Sequence, residues 1–251
     1  MILKIKRQIP NALTIGNLLC GILGIIYALT HIQSDFWLGA YFILIACVFD
    51  FLDGFAARFL KVSSNIGKQL DSLADMVSFG VLPGILVYVL LMNILPSHWE
   101  NVHYFALLIP VFSAYRLAKF NVDERQTVSF IGLPTPANAI FWAGIVLMYG
   151  VMTRAMEVFI PTYLILMSIV VFSYLLIAEI EMFSFKFKGF SWKENRVQYL
   201  FLMATFLLAI TFQQTIHWVV ALPIVIVVYI SFSIILYWIK KIEESHRIAK
   251  F

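Results

Sequence analysis

Residues 40–75 read AYFILIACVFDFLDGFAARFLKVSSNIGKQLDSLAD, and this stretch indicates the class of fold. It begins as an almost unbroken apolar run and then carries four carboxylates, at Asp50, Asp53, Asp71 and Asp75. A helix needs about 20 apolar residues to cross the hydrocarbon core of a bilayer. A charged side chain at its centre costs about 3 kcal/mol on insertion scales. The stretch therefore predicts two membrane helices that carry charged groups into the bilayer for a functional reason.

The composition of the whole chain also indicates a membrane protein. Hydrophobic residues make up 62% of the 251 residues and charged residues 13%, whereas soluble domains have about 45–50% and about 25%. The net charge of +4 does not indicate nucleic-acid binding, because the basic residues form short clusters between apolar runs, as membrane topology requires. Cys20 and Cys47 lie within apolar runs without metal-ligand spacing and are interpreted as packing residues.

Apolar runs separated by Pro, Gly or charged residues predict an all-α, polytopic integral membrane protein, with residues 1–251 in a single domain. About eight transmembrane helices are expected, over approximately 11–31, 36–59, 68–94, 102–120, 136–153, 158–178, 196–213 and 217–239. All but one of the 18 Lys and Arg residues fall on one side of this map, the exception being Arg154. By the positive-inside rule that side is cytoplasmic, and both termini lie there. The run that starts near Ala12 has no small-residue cleavage site, so we expect no removable signal peptide.

The spacing of the four carboxylates predicts that they meet. Asp50 and Asp53 are three residues apart and share a helical face, and Asp71 and Asp75, four apart, share another. Because the second span runs toward the cytoplasm and the third returns, both pairs lie at a similar depth. Four carboxylates in a low dielectric repel one another unless a cation lies among them. Since oxygen ligands suit hard ions, the pattern predicts Mg²⁺ or Mn²⁺.

Small residues accompany the carboxylates. Gly54 and Ala57 follow the first pair, and Gly67 lies four residues before Asp71. Side chains this small leave room beside a metal for a bulky ligand such as a nucleotide. They also allow two membrane helices to pack closely. The sequence is compatible with both interpretations.

The complete pattern is Asp50-x2-Asp53-Gly54-x2-Ala57-Arg58-x8-Gly67-x3-Asp71-x3-Asp75. It matches every fixed position of the CDP-alcohol phosphotransferase signature, so the chain resembles this family. Further segments resemble its phosphatidylserine synthase branch: PNALTIGN at 10–17, DSLADMVSFG at 71–80, YRLAKFN at 115–121 and GLPTPA at 132–137. The family-like helices are expected within about 11–178, and the helices at about 196–239 are additional.

The resemblance implies metal-dependent transfer of a phosphatidyl group from CDP-diacylglycerol to L-serine, giving phosphatidylserine and CMP. It implies that two divalent cations are held by Asp50, Asp53, Asp71 and Asp75, and that Asp75 is also the general base for the serine hydroxyl. A sister enzyme that uses glycerol 3-phosphate or an inositol is an alternative, because the metal motif serves the shared donor. A cation or proton transporter is a more distant one, since intramembrane carboxylates often mark ion paths. However, no ionisable residue continues such a path outward in the second and third spans.

Nucleotide contacts are also implied by the resemblance. Arg58 is a candidate phosphate contact, although an arginine at a helix end also snorkels to the interface. Ser64 is the candidate hydroxyl in the connecting loop, with Ser63 as its alternative. Thr14 and Asn17, with Asn11, recur every three residues on one face of the first span, where they could bind the ligand or bridge helices. The predicted nucleotide-binding set is Thr14, Asn17, Gly54, Ala57, Arg58, Ser64 and Gly67.

Arg116 and Asn121, at the cytoplasmic end of the fourth span, are candidates for binding the serine carboxylate. A guanidinium offers a planar two-donor fork that fits a carboxylate, and a purely topological charge is the alternative for Arg116. The predicted partners are CDP-diacylglycerol, L-serine and membrane lipid, without nucleic acid, and the resemblance suggests a homodimer. We expect a multi-pass protein of the inner, cytoplasmic membrane whose active site faces the cytoplasm.

Overall fold

The computed structural model describes residues 2–62, 64–99, 101–123, 130–155, 161–183, 192, 195–215 and 217–248. Over these residues the chain forms nine α-helices, which confirms the predicted all-α membrane protein. In order they are α1 Ile2–Thr30, α2 Ala40–Phe59, α3 Asn65–Asp75, α4 Leu82–Ile94, α5 Leu108–Val122, α6 Thr135–Ala155, α7 Thr162–Ile177, α8 Arg196–Thr215 and α9 Ala221–Ile248. A π-helical segment, Met76–Val81, joins α3 to α4.

Among the described residues, six helical stretches are long and apolar enough to cross a membrane. They are Gln8–Thr30, Phe36–Phe59, Asn65–Ile94, Val102–Val122, Thr135–Met152 and Trp218–Glu243, and each coincides with a predicted span. The other two predicted spans coincide with shorter apolar helices, Thr162–Ile177 and Phe201–Gln214. A helix of 16 residues is about 24 Å long, less than the hydrocarbon thickness of about 30 Å. The total of eight spans therefore stays a prediction, as does the side of the membrane on which both termini lie.

In the part of the chain that the structure describes, two short strands accompany the helices. β1 (Phe130–Ile131) and β2 (Glu181–Met182) pair antiparallel, with Ile131 opposite Glu181. Gly132 follows β1 with a φ of 80°, and a Cβ there would lie 2.6 Å from the carbonyl oxygen of Leu176. Only glycine suits both the left-handed backbone and this close approach. A pairing of two residues has no periodic pattern that the sequence could display.

The centre of the bundle lies at α4 and α6. Leu86 and Leu90 of α4 and Trp142 of α6 are fully buried, and the indole Nε1 of Trp142 donates to Oδ1 of Asn138 at 3.1 Å. By contrast, α1 and α2 expose large apolar side chains such as Leu19 and Phe55. Hydrocarbon solvates such a surface, whereas water would not, so these faces are expected to contact lipid.

The turn after α2 sets the relative positions of the carboxylates. Lys61 N–H donates to the carbonyl of Arg58 at 3.2 Å, and Val62 N–H donates to that of Ala57 at 3.0 Å. These two bonds form a Schellman motif, and Lys61 takes the left-handed conformation that the motif requires, with a φ of 51°. The chain reverses here, and α3 returns along α1. Both α2 and α3 pack on α1, which places the site between these three helices.

Candidate active site

Three of the four predicted metal ligands lie together. Asp50 and Asp53 of α2 and Asp71 of α3 each offer one carboxylate oxygen, and these oxygens all lie within 4.8 Å of one another. Asp53 is 6% exposed, and Oδ1 of Asp71 is buried with no hydrogen-bond partner among the described residues. Carboxylates this close repel one another, and a buried oxygen without a partner is unfavourable. The donor set therefore fits a hard divalent cation, which prefers oxygen ligands.

Asp75 occupies a different position at the end of α3. Its Oδ1 accepts a hydrogen bond from Nδ2 of Asn17 at 3.0 Å. It lies outside the group of three carboxylates, although its charge interacts with those of Asp50 and Asp71. Within the described part of the chain, no hydrogen bond involves its second oxygen. Asp75 therefore has one oxygen held by the protein and one available to a ligand, and its role as a fourth metal ligand stays a prediction.

Asn17 lies beside Asp75 and not in the lining of the cavity described below. It is fully buried, and its backbone carbonyl accepts a hydrogen bond from Oγ of Ser78 at 2.8 Å. Ser78 belongs to the π-helical segment that begins directly after Asp75. A Cβ on Gly21 would lie 2.5 Å from the Ser78 hydroxyl, so glycine permits this contact. Side-chain and backbone bonds together fix α1 to the segment that carries Asp75.

Thr14 joins α1 to the carboxylate group. Its hydroxyl lies 2.7 Å from Oδ2 of Asp53 and 3.1 Å from the carbonyl oxygen of Pro10. The single hydroxyl proton can go to only one of them, and the shorter distance to a charged acceptor favours Asp53. Thr14 and Asn17 thus both bridge helices, while Thr14 and Asn11 also face the cavity.

A cavity of about 230 Å³ lies against Asp53 and Asp71. Five of the seven predicted nucleotide-binding residues contribute to its lining: Thr14, Gly54, Ala57, Ser64 and Gly67. Pro10, Asn11, Val62 and Lys68 complete the lining. Pockets that enclose a drug-sized ligand have about 300–1,000 Å³, so this space suits one part of a larger molecule. Arg58 is exposed at the end of α2 and is not part of the lining, so its phosphate contact stays a prediction.

Gly54 distinguishes the two interpretations of the small residues. A Cβ added there would meet no atom of the described residues within 4 Å, so helix packing does not require a glycine. Glycine in a helix is about 1 kcal/mol less favourable than alanine. The open cavity beside Gly54 therefore accounts for a glycine at this position. Gly67 is different, because its added Cβ would lie 2.9 Å from Oγ of Ser64 and 3.1 Å from Oδ1 of Asn11.

Ser64 has a structural role beside its predicted one. It is the N-cap of α3, and its Oγ accepts a hydrogen bond from Gly67 N–H at 2.9 Å. This bond satisfies one of the unpaired amides in the first turn of the helix. The hydroxyl proton of Ser64 can still be donated to a ligand in the cavity. Ser63, its alternative, lies outside the described residues.

Lys68 is a site residue that the sequence does not distinguish. It lines the cavity one residue after Gly67, and its Nζ donates to the backbone carbonyl of Asn121 at 3.4 Å. In the sequence, the charge of Lys68 is already accounted for by membrane topology, so its place in the cavity lining is not apparent. Its place within the acidic motif, in the first turn of the returning helix, is the signal that could have identified it.

Asn121 contacts a helix of the site, whereas the hydrogen bond of Arg116 goes to the chain after β1. Arg116 is 4% exposed, which argues against a solvated topological charge. Its Nε donates to the carbonyl of Leu133 at 2.9 Å, and the guanidinium interacts electrostatically with Tyr229 and with Asp75. Nδ2 of Asn121 donates to Oγ of Ser72 at 2.8 Å and joins the end of α5 to α3. Their contact with an acceptor substrate stays a prediction.

Comparison with known proteins identifies the family of the chain. A family model described as CDP-alcohol phosphatidyltransferase matches residues 7–176, which is more than half of the chain. That segment contains the complete acidic motif, the cavity lining and both residues at the end of α5. It ends before β2, α8 and α9.

Several curated proteins that are similar to this chain have the same name. A CDP-diacylglycerol–serine O-phosphatidyltransferase of Bacillus subtilis is 40% identical over 131 residues, which cover 52% of this chain and 70% of that protein. Proteins of the same name from Mycobacterium leprae and Methanocaldococcus jannaschii are each 35% identical, over 144 and 136 residues. The first match covers 55% of this chain and 46% of the M. leprae protein. The second covers 54% of this chain and 59% of the M. jannaschii protein, so the chain spans about half the length of these two relatives. The chain belongs to the CDP-alcohol phosphatidyltransferase family.

Proposed function

We propose that this protein transfers the phosphatidyl group of CDP-diacylglycerol to L-serine, with phosphatidylserine and CMP as products. One observation carries the proposal: three carboxylate oxygens lie within 4.8 Å of one another at the edge of a cavity lined by small side chains. The names of the matched relatives support the donor and the acceptor. Glycerol 3-phosphate and inositols are the acceptors of the sister activities against which serine must be tested.

Asp50, Asp53 and Asp71 would hold a divalent cation, and Asp75 would complete a site for two. Members of the family are metal-dependent in general, and Mg²⁺ and Mn²⁺ are the ions that this donor set suits. When bound, such ions neutralise charge on the pyrophosphate and on the departing CMP. Thr14 donates to Asp53 and would hold that carboxylate in its place within the group of three.

The cavity is proposed to hold the nucleotide end of the donor. Gly54 and Ala57 leave space beside Asp53, and the Lys68 ammonium group and the Ser64 hydroxyl supply donors for oxygen atoms of the ligand. Arg58 lies in the last turn of α2, from which a long side chain could reach a phosphate. The acyl chains would extend into lipid, because α1 and α2 carry exposed apolar side chains.

Asp75 is proposed to be the general base. A neutral hydroxyl is a poor nucleophile, so a positioned carboxylate must accept its proton as the new oxygen–phosphorus bond forms. Asn17 holds Oδ1 of Asp75, which leaves the other oxygen for the serine hydroxyl. The bond between the phosphatidyl phosphorus and the CMP oxygen breaks, and CMP departs with the electron pair. Arg116 and Asn121 are proposed to hold the serine carboxylate.

The setting of the reaction also belongs to the proposal. The enzyme would lie in the cytoplasmic membrane with its site toward the cytoplasm, because the basic clusters fall on that side of the predicted map. Membrane lipid would surround it, and a homodimer is the proposed assembly.

A direct test measures CMP release by the purified protein in detergent with CDP-diacylglycerol and a panel of acceptors. We expect release with L-serine, abolition by EDTA and recovery with Mg²⁺ or Mn²⁺. The Asp53→Asn enzyme, purified in parallel, controls for contaminating activity. Release only with glycerol 3-phosphate or inositol would move the protein to a sister activity. Full activity of metal-stripped protein would exclude the metal site.

A further inference from the structure

The position of Arg116 depends on a segment distant in the chain. Its Nε is held by the carbonyl of Leu133. That residue is itself fixed, because Leu133 N–H donates to the carbonyl of Leu175 at 2.8 Å and Gly132 N–H donates to that of Ile180 at 2.9 Å. The carbonyl that holds Arg116 is therefore aligned by the chain around residues 175–182, including the pairing of β1 with β2.

This supporting segment is in turn held by α9. The backbone of Phe183, directly after β2, is bonded on both sides: its N–H donates to Oγ of Ser233 at 3.1 Å, and its carbonyl accepts from the hydroxyl of Tyr229 at 2.9 Å. The Ser233 hydroxyl donates to the carbonyl of Tyr229 at 2.8 Å. Ser233 is fully buried, and Tyr229 is 4% exposed. Polar groups buried in a membrane helix need such partners. Here the hydroxyls of Tyr229 and Ser233 both bond to the backbone of Phe183.

A second connection between β2 and α9 is weaker. Nζ of Lys240 lies 2.8 Å from Oε2 of Glu181, and both side chains are about half exposed. Exposed ion pairs contribute little, so the two buried hydroxyls are the stronger connection. Both lie in α9, beyond the segment that the family model matches.

We propose that α9 is a supporting element of the acceptor site, with Tyr229 and Ser233 as positioning residues for Arg116. Their hydrogen bonds to Phe183 fix β2, β2 aligns the segment at Gly132 and Leu133, and the Leu133 carbonyl orients the guanidinium. This inference rests on the proposed function, in which Arg116 binds the serine carboxylate. It gives the last helix of the chain a role in substrate recognition.

The test compares steady-state kinetics of Tyr229→Phe and Ser233→Ala enzymes. Loss of one neutral hydrogen bond is worth about threefold to tenfold, and we expect the KM for serine to rise by this factor. The kcat and the KM for CDP-diacylglycerol should stay within about twofold. Partial unfolding would instead lower the amount of active enzyme and leave the serine KM unchanged. Tyr237→Phe, on the same helix, is the matched control and should behave like the parent.

A double-mutant cycle with Arg116→Lys separates positioning from general packing. The lysine keeps the charge and lacks the Nε–H that Leu133 holds, so the serine KM should rise at least tenfold, and adding Ser233→Ala, which removes the hydroxyl bonded to Phe183 and Tyr229, should have no further effect. Multiplicative effects, or an unchanged serine KM in both α9 variants, would overturn the proposal. An unchanged serine KM in Arg116→Lys alone would instead contradict the acceptor role of Arg116, and with it the reason for the α9 support. Failure of the parent to use serine would refute the proposed function.

Discussion

At the scale of single residues, the four motif carboxylates have different surroundings. Asp53 accepts from Thr14, Asp71 has a buried oxygen without a partner among the described residues, and Asp75 accepts from Asn17. Asp50 contributes the third oxygen of the compact group. Chemically equal side chains thus receive unequal environments, which allows a division between metal binding and proton transfer.

Substitution of Asp75 by asparagine tests this division. The change keeps the size of the side chain and an oxygen that Asn17 can bind, but it removes the proposed base. We expect single-turnover CMP formation to fall by about 10²–10⁴, with CDP-diacylglycerol binding less affected. Asp53→Asn should instead weaken Mn²⁺ binding and, through it, binding of the nucleotide. Titrations of Mn²⁺ and of CDP-diacylglycerol, combined with single-turnover rates, distinguish Asp75→Asn from Asp53→Asn. Wild-type turnover of Asp75→Asn at saturating metal would show that the proton goes elsewhere.

Gly54 provides a second test at this scale. A Cβ at this position meets open space beside the cavity, so we expect Gly54→Leu to fold normally and to raise the KM for CDP-diacylglycerol at least tenfold. Gly21→Ala is the opposite control, because its Cβ would lie 2.5 Å from the Ser78 hydroxyl. We expect that variant to lower the midpoint of thermal unfolding. A normal donor KM in Gly54→Leu would place the nucleotide outside this cavity.

At the scale of elements, the site depends on how helices begin and end. The Schellman motif at Lys61 ends α2, the Ser64 cap begins α3, and the π-helical segment begins directly after Asp75. π-Helical turns are rare and occur often at functional sites. Here the segment brings Ser78 to the backbone of Asn17, and so connects helix geometry to the position of Asp75.

Two substitutions of Ser64 separate its roles as cap and as ligand contact. Ser64→Ala removes the cap and should reduce the free energy of unfolding by about 1 kcal/mol. Ser64→Asn keeps an N-cap acceptor and should keep parental stability. If the hydroxyl also contacts the nucleotide, both variants should raise the KM for CDP-diacylglycerol. Thermal unfolding in detergent together with donor titrations measures the two effects. An unchanged KM in Ser64→Asn would mean that Ser64 serves only as the N-cap of α3.

At the scale of the whole molecule, orientation decides which compartment the site faces. Ser34, after α1, and Ser245, near the end of α9, are exposed and lie on opposite sides of the predicted map. A cysteine at Ser34 should react with a membrane-impermeant maleimide in intact cells, and one at Ser245 only after the membrane is opened. The parent, whose Cys20 and Cys47 lie within helices, measures background labelling. The reverse pattern would mean that the span count or the orientation is wrong.

The sequence determined the features that depend on composition and on regular helix geometry. Apolar content alone identifies a membrane protein, and helical periodicity alone places Asp50 with Asp53, and Asp71 with Asp75, on shared faces. The small residues Gly54, Ala57 and Gly67 indicated space for a ligand beside the carboxylates, whereas the family resemblance supplied the full nucleotide-binding set, of whose seven residues five line the cavity. Apolar content and the shared helical faces are local properties, because they follow from composition and from spacing along one helix.

Tertiary structure alone decided which distant groups bond to one another. Asn17 and Asp75 are 58 residues apart, and Tyr229 and Phe183 are 46 apart. No local pattern encodes such pairs, since each depends on the depth, rotation and packing of separate helices. For the same reason, only the structure distinguishes the open space at Gly54 from the tight contact at Gly21, although both positions are simply glycine in the sequence.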